Sequence, residues 1–304
     1  MGGTSMTNQT PGRRTRIAAQ RAAARKARTR NRLTLAGVAI IAVIAVIVAF
    51  VVLQGSGSSP TSRGPTPPTG QALNRVAGKV AGVPASTSDA VGAGQVTSPP
   101  KTVQGPPLTG GGHPEVLYLG AEYCPYCAAE RWAMIAALSR FGTFTGLAAT
   151  HSAAKDGAGH AEPFPNTPTF TFAHAQFRSR YLTFTPVETN TNIPDPSSGG
   201  YTTLQNPNAA QQALLSKYDQ AYQGAIPFLD LGNRYLSVGA SYDPSVLNGL
   251  TWDQIAAGLH NPSSPVAKGV LGSANYLTAA MCGLTHNQPS SACTPAVRAL
   301  HGRI

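Results

Sequence analysis

From Leu33 to Leu53 the chain runs 21 residues without a charge, almost all of them Ala, Val, Ile, Leu or Phe. At about 1.5 Å per helical residue such a run crosses a hydrocarbon core of about 30 Å, so it predicts a transmembrane helix over residues 33–53. A cleaved signal peptide is the competing reading, but secretory apolar cores run roughly 7–15 residues and end at a small-x-small site. Ala49-Phe50-Val51-Val52-Leu53 offers no such site, and an uncleaved anchor is favoured. Residues 54–70 are dominated by Gly, Ser, Thr and Pro and read as a tether. Between Gln71 and Leu108 an apolar thread that includes Val76, Val80, Val83 and Val91 runs among Pro and Gly, and reads as an irregular preamble to the domain that follows.

The strongest local pattern starts at Pro114. Glu115 to Gly120 is a short apolar run fitting a buried strand, and a helical stretch from about Cys124 to Phe141 follows it. Cys127, Met134, Leu138 and Phe141 share one face of that helix, while Ala128, Ala129, Ala133, Ala136 and Ala137 let its other faces pack closely. Downstream, Thr145 to Thr150 predicts a strand, and Thr167 to Glu188, with alternating Phe170, Phe172, Tyr181 and Phe184, predicts paired strands whose aromatic residues form sheet core. Asn208 to Tyr222 reads as a helix with Leu214, Leu215 and Tyr218 on one side. Ala225 to Leu231 and Tyr235 to Val238, separated by Gly232-Asn233-Arg234, form a hairpin signal. Helices are expected from Thr251 to Leu259 and from Val266 to Cys282. Strand, helix, strands, helix and hairpin in this order make an α/β domain.

Charge changes the picture at one end only. Of 23 Lys and Arg, nine lie between Arg13 and Arg32, and no acid precedes Asp89, leaving 14 bases against 12 acids in the rest of the chain. The net charge of +11 is therefore a local basic tail, residues 1–32, and a dedicated nucleic-acid-binding surface is not expected. Beside an apolar span, the tail sets topology: the N-terminus lies in the cytoplasm and everything after residue 53 lies outside the membrane. The tail would also attract anionic lipid head groups. An extracytoplasmic compartment permits disulfides, which bears on the four cysteines, Cys124, Cys127, Cys282 and Cys293.

Cys124-Pro125-Tyr126-Cys127 falls where the predicted strand gives way to the helix, the context in which C-x-x-C reads as a dithiol redox site. At a helix N-terminus the unpaired N–H groups and the macrodipole favour a thiolate. Cys124 is therefore expected to be exposed and nucleophilic, with Cys127, one turn further in, as the shielded resolving thiol. A static disulfide or half of a zinc site are the alternatives; the seven histidines show no H-x3-5-H spacing, and no metal or other cofactor is expected. Cys282 and Cys293 enclose ten residues. A structural disulfide there would contribute about 2–3 kcal/mol. A second redox pair exchanging electrons with Cys124 and Cys127 is the sharper, less favoured alternative.

The segment Ala121-Glu122-Tyr123-Cys124-Pro125-Tyr126-Cys127 resembles the active-site segment of thioredoxin-like proteins, with the Pro-Tyr pair of glutaredoxins. The longer run from Gly120 through Cys127, then Glu130-Arg131-Trp132 and Ala137 to Gly142, resembles the membrane proteins of the domain-of-unknown-function 929 family, a likeness extending from about Gln71 to the C-terminus. The thioredoxin-like resemblance implies a cis-proline at the start of a strand beside the dithiol. Ile226-Pro227, followed by a hairpin and a helix, fits it, and Pro227 would keep an edge free for substrate backbone. An ordinary proline at a strand start is the alternative. Cytosolic thioredoxins carry a buried acid six residues before the first cysteine, where this chain has Tyr118.

Together these readings describe a single-pass cell-membrane protein: tail 1–32, span 33–53, tether 54–70, and an extracytoplasmic thioredoxin-like domain over 71–304 with its core from about 114. The expected activity is thiol–disulfide exchange on exported protein thiols or disulfides, as an oxidase or isomerase rather than a reductase, with an unidentified membrane redox partner. The alternative is a non-enzymatic envelope protein that uses the same scaffold for binding, with both cysteine pairs as static braces.

Overall fold

A strand apolar at every position from Val116 to Leu119 must be covered on both faces, and this strand lies at the centre of the structure. The computed structural model describes residues 64–222 and 224–304. The basic tail, the apolar span and residues 54–63 of the tether lie outside the described residues. Among the described residues no helix is long and apolar enough to cross a membrane. Residues 64–69 carry no regular structure, and the first element begins at Gly70.

In chain order the elements are helices α1 (Gly70–Ala81) and α2 (Ala85–Val91), then strands β1 (Lys101–Thr102), β2 (Thr109–Gly110) and β3 (His113–Gly120). Helix α3 (Pro125–Leu138) leads to β4 (Gly142–Thr145), β5 (Ala148–His151), β6 (Pro168–Thr171) and β7 (Gln176–Ser179). Next come β8 (Thr183–Glu188), β9 (Asn190–Asp195), β10 (Gly200–Thr203) and α4 (Ala209–Tyr222). The hairpin β11 (Phe228–Leu231) and β12 (Tyr235–Val238) precedes a 3-10 turn (Pro244–Leu247) and helices α5 (Trp252–Gly258), α6 (Pro265–Leu284) and α7 (Pro295–His301).

The main sheet is mixed. Strand β3 runs parallel to β8 and antiparallel to β11, β11 is antiparallel to β12, and the short β1 and β2 pair with β12 and β3. Alternation along each strand sends Val116, Tyr118, Leu229 and Leu231 to one face and Leu117, Leu119, Phe228 and Leu236 to the other. The first face is covered by α3, α6 and their neighbours, and the second by Leu214, Leu215 and Tyr218 of α4.

Helix α3 is buried on every side, with Tyr126 its sole residue outside the buried set. Its alanines let α6 approach closely, and α6 is itself buried nearly throughout from Val266 to Cys282. Full burial of a leucine such as Leu271 or Leu277 stabilises the fold by about 1.5–3 kcal/mol. Most polar atoms enclosed by this packing find partners. Trp132 Nε1 donates to Pro168 O at 2.8 Å, Trp252 Nε1 to Thr169 O at 2.6 Å, and the Tyr242 hydroxyl to Ala129 O at 2.7 Å. The buried Glu130 carboxylate accepts from Ser241 N, Ser241 Oγ and Ser273 Oγ at 3.0, 3.1 and 2.9 Å, tying α3 to α6.

Three expectations are corrected. The first part of the preamble 71–108, to Val91, is helical: Leu73, Val76, Ala77 and Val80 repeat at i, i+3, i+4 and i+7, and Val76 and Val80 enter the core. The strand expected over 145–150 is broken at Gly146, whose φ of +72° suits glycine, so its halves fall in β4 and β5. The strands of 167–188 do not pair with one another: β6 joins β5, β7 joins β4, and β8 joins β3. Alternation identifies a strand but does not choose its partner.

One buried acid gives the fold a pH signature. Asp230 on β11 faces the α4 side, its Oδ1 accepts from Asn233 N at 2.6 Å, and its Oδ2 has no hydrogen-bond partner. Burial pushes its carboxyl up to about 6 from an ordinary 3.8, against the opposing pull of the Asn233 N–H and Lys217. The folded state then binds the proton more tightly than the unfolded chain, so stability falls as pH rises from about 4 to about 6, by on the order of 3 kcal/mol. Urea denaturation across that range is expected to show this decline in the native protein and a flattened profile in Asp230→Asn.

Candidate active site

The dithiol sits where β3 ends. Cys124 is the N-cap of α3 and Pro125 occupies its first turn, where a missing N–H costs nothing and a fixed φ suits the helix. Cys124 Sγ accepts from Cys127 N at 3.2 Å, taking the place that a serine or aspartate oxygen takes in ordinary caps. No acid occupies the first turn, so nothing there competes with a thiolate for the positive end of the helix.

The two sulfurs differ as their positions dictate. The Cys127 thiol and its backbone N–H both hydrogen-bond Cys124 and, with the Arg131 charge, lower the Cys124 thiol below its ordinary value against the opposing effect of burial. Burial pushes the Cys127 thiol well up. Both are free cysteines. The expectation that Cys124 is exposed is corrected: it is 5% exposed, because the Tyr123 and Tyr126 segments and the loop before β11 close around it.

Pro227 lies where that loop meets the dithiol. The Ile226–Pro227 bond is cis, β11 begins at the next residue, and Cys124 Sγ lies 3.8 Å from Ile226 O. Strand pairing brings this about, since Phe228 is opposite Leu119, one residue before the end of β3.

Beneath the cysteines lies an ion pair. Arg131 Nε donates to Glu188 Oε1 at 2.8 Å, and Arg131 Nη2 donates to Glu188 Oε2 at 2.6 Å and to Ala121 O at 2.7 Å. Both side chains are fully buried. Burial disfavours the guanidinium charge, and Glu188, with Tyr118 and Cys127, more than restores it. Glu188 is opposite Gly120 in the parallel β3–β8 register and also accepts from Phe172 N at 3.2 Å.

The rim comes from segments outside the sheet. Tyr123 stacks on Tyr201 of β10 with ring centroids 4.3 Å apart, Glu122 N donates to Asn190 O at 2.9 Å, and Ala153 N donates to Tyr123 O at 2.9 Å. The Tyr123 hydroxyl is pushed up to about 12 by burial and by the cysteines, so it stays protonated. Tyr126, 40% exposed, meets Phe164 edge-on at 5.8 Å. On the neighbouring β9, Ile193 is 61% exposed.

Residues 100–196 match the family described as Domain of unknown function (DUF929). That match supports the DUF929 family for β3, α3, the dithiol and Glu188, and it stops short of Pro227 and the second cysteine pair. No curated protein and no solved structure matches the chain.

Outside the DUF929 segment, Cys282 and Cys293 are joined by a disulfide with Cα atoms 5.8 Å apart. The bridge ties the end of α6 to the turn before α7. Leu284, the last residue of α6, packs beside Gly232, whose N–H bonds Glu115 O near the start of β3. The dithiol lies past Gly120, and five strand residues at about 3.3 Å each separate the two ends. The structure therefore brings Cys124, Cys127 and Pro227 together and sets Cys282 and Cys293 apart from them.

Arg131, Glu188 and the β9–β10 ribbon were not anticipated. Adjacent opposite charges inside the apolar run Ala128 to Ala137 signalled that Glu130 and Arg131 need buried partners, but not which ones. For β9–β10 the turn-forming Asp195-Pro196-Ser197-Ser198-Gly199-Gly200 was the available signal. Replacing Glu188 by Gln leaves the Arg131 guanidinium buried without an anion, and chemical denaturation is expected to show a loss of about 3–5 kcal/mol. Adding Arg131→Met should restore much of it.

Proposed function

We propose that the described domain is a thioredoxin-like thiol–disulfide oxidoreductase, with Cys124 as the exchanging thiol, Cys127 as the resolving thiol and Pro227 shaping the substrate groove. One observation carries this reading: Cys124 caps α3 with its sulfur, receives hydrogen bonds from Cys127, and lies against the Ile226 carbonyl beside a cis-proline. The order β3, α3, parallel β8, α4 and then an antiparallel β11–β12 hairpin followed by helix supports the thioredoxin-like assignment.

The exchange is a two-electron reaction. With the pair oxidised, a substrate thiolate attacks Cys124 Sγ, the Cys124–Cys127 bond breaks, and a second substrate thiolate displaces Cys124, leaving substrate disulfide and reduced enzyme. A membrane redox partner that accepts two electrons would reoxidise the pair. Tyr126, between the two cysteines, and Ile193, on β9, are the two large hydrophobic side chains exposed among the described residues, and such exposed apolar side chains suit partly unfolded polypeptides. The apolar run 33–53 and its basic flank support a membrane-anchored protein whose domain works outside the cell membrane on exported proteins. Direction favours oxidase or isomerase, because a reductase outside the membrane requires a supply of electrons.

A binding scaffold with permanently bonded cysteines is the second reading, favoured by the low exposure of Cys124. The reduction potential of the Cys124–Cys127 pair separates the two: well above about −300 mV for an exchanging pair, below it for a brace. Limiting iodoacetamide at neutral pH is expected to label Cys124 before Cys127, and Cys127→Ser to accumulate mixed disulfides with exported proteins while Cys124→Ser accumulates none. Equal trapping by both variants, or labelling of Cys127 first, would overturn the assigned roles. For topology, protease added outside spheroplasts should digest the domain and spare the basic tail.

A further inference from the structure

Among the described residues three buried side-chain atoms have no hydrogen-bond partner, and two of them, Tyr118 Oη and Arg131 Nη1, lie in one cluster beneath the dithiol. Buried polar groups are almost always paired, so these two donors keep bonding capacity that a negative charge formed during function could use. The Arg131 guanidinium lies with Cζ 5.8 Å from the centre of the Tyr118 ring. Its Nε and Nη2 hydrogens are already committed to Glu188 and Ala121 O, which fixes the direction of the two free N–H bonds on Nη1.

The same cluster contains Cys127. Cys127 and Arg131 are four residues apart on α3, hence neighbours on one helix face. Tyr118 precedes Gly120 on β3, and its hydroxyl rests against Gly120 so closely that a Cβ there would lie 2.0 Å from the oxygen. Glycine at the end of β3 thus keeps the space in which the phenol reaches under the active-site turn. The charged and titratable groups gathered around Cys127 are Cys124, Tyr118, Tyr123 and Arg131, with Glu188 paired to Arg131 behind them. Arg131 is the sole cation of the set, and burial otherwise works against a Cys127 thiolate.

We propose that Tyr118 and Arg131, the latter oriented by Glu188, are positioning residues of a buried polar site that receives the negative charge of Cys127 while its sulfur resolves a mixed disulfide on Cys124. The proposal rests on the dithiol reading above. In this step the Cys127 S–H loses its proton, Cys127 Sγ bonds to Cys124 Sγ, and the bond from Cys124 to the substrate sulfur breaks. The departing thiolate takes up that proton; together with the preceding attack of Cys124 on a substrate disulfide the enzyme pair loses two electrons and the substrate gains two, and read in reverse the same step is the attack of a substrate thiolate on the oxidised pair, with Cys127 as the leaving thiolate. The phenol and guanidinium N–H donate to the transient thiolate and need no rearrangement as its charge develops.

The test uses the reduced full-length protein and the aromatic disulfide of thionitrobenzoate. Attack by Cys124 releases one thionitrobenzoate, and resolution by Cys127 releases a second, so the two steps are read as separate phases of absorbance. Tyr118→Phe removes a hydroxyl that bonds nothing in the protein and should leave the urea midpoint unchanged. It is expected to leave the first phase within about twofold and to slow the second about tenfold or more, with the midpoint of the second phase's pH profile moved upward. Arg131→Lys, which keeps a positive charge and lacks Nη1, is measured alongside and should slow the same phase. Wild-type second-phase rates and pH profiles in both variants would overturn the proposal. Absence of any second release from the wild-type protein would instead overturn the dithiol reading on which it rests.

Discussion

The bond between Arg131 and Glu188 organises the region on which everything else in the site is built. A fully buried guanidinium must be anchored to a carboxylate, and satisfying it requires α3, the end of β8 and the Ala121 carbonyl to meet at one point. Glu188 is also fastened through its own backbone, with Glu188 N donating to Gln205 Oε1 at 2.7 Å. The start of α3 therefore cannot shift against the sheet without exposing or orphaning a charge. That constraint holds the Cys124 cap, the Cys127 sulfur and the stacked Tyr123 and Tyr201 in one arrangement. It also explains why so polar a pair sits among alanines: the cost of burying it is offset by several directional bonds at one junction.

A second consequence of the packing is that α3 has no free face. Flanked by α6 on one side and anchored through Trp132 and Tyr242 to its neighbours, it offers solvent only Tyr126. On the exchange reading proposed above, a partner would meet the dithiol at the rim formed by the active-site turn, the segment around Phe164, the β9–β10 ribbon and Ile226, parts of the chain that add nothing to the central sheet.

Much of this was legible from local patterns. The apolar run before Cys124, the proline after it and the alanine-rich turns beyond specify strand, cap and buried helix without reference to distant residues. The hairpin at Gly232-Asn233-Arg234 was equally plain because its turn chemistry is local: Asn233 adopts a φ of +52° and its N–H is bound by Asp230. What was not legible depends on contacts across long separations. Nothing near Arg131 announces that its partner is Glu188, 57 residues later. The burial of Cys124 is likewise set by Ile226, more than a hundred residues away. Helix α1 is a different case, since Leu73, Val76, Ala77 and Val80 carried the right period and the surrounding proline and glycine obscured it.

Asn275, in the middle of α6, has an implication for how the molecule is made. Its Nδ2 donates to Ser88 O at 2.7 Å and Gly92 O at 2.8 Å, while its Oδ1 accepts from Arg140 Nη1 at 2.9 Å. The beginning of the domain and the end of α3 thus wait for a residue near the end of the chain. A polypeptide emerging from its N-terminus exposes Cys124 and Cys127 long before α6 exists to enclose the helix that carries them. During that interval the dithiol is an ordinary pair of accessible thiols, open to other oxidants, and the helix that carries it is enclosed only when the last fifth of the protein folds back over that helix.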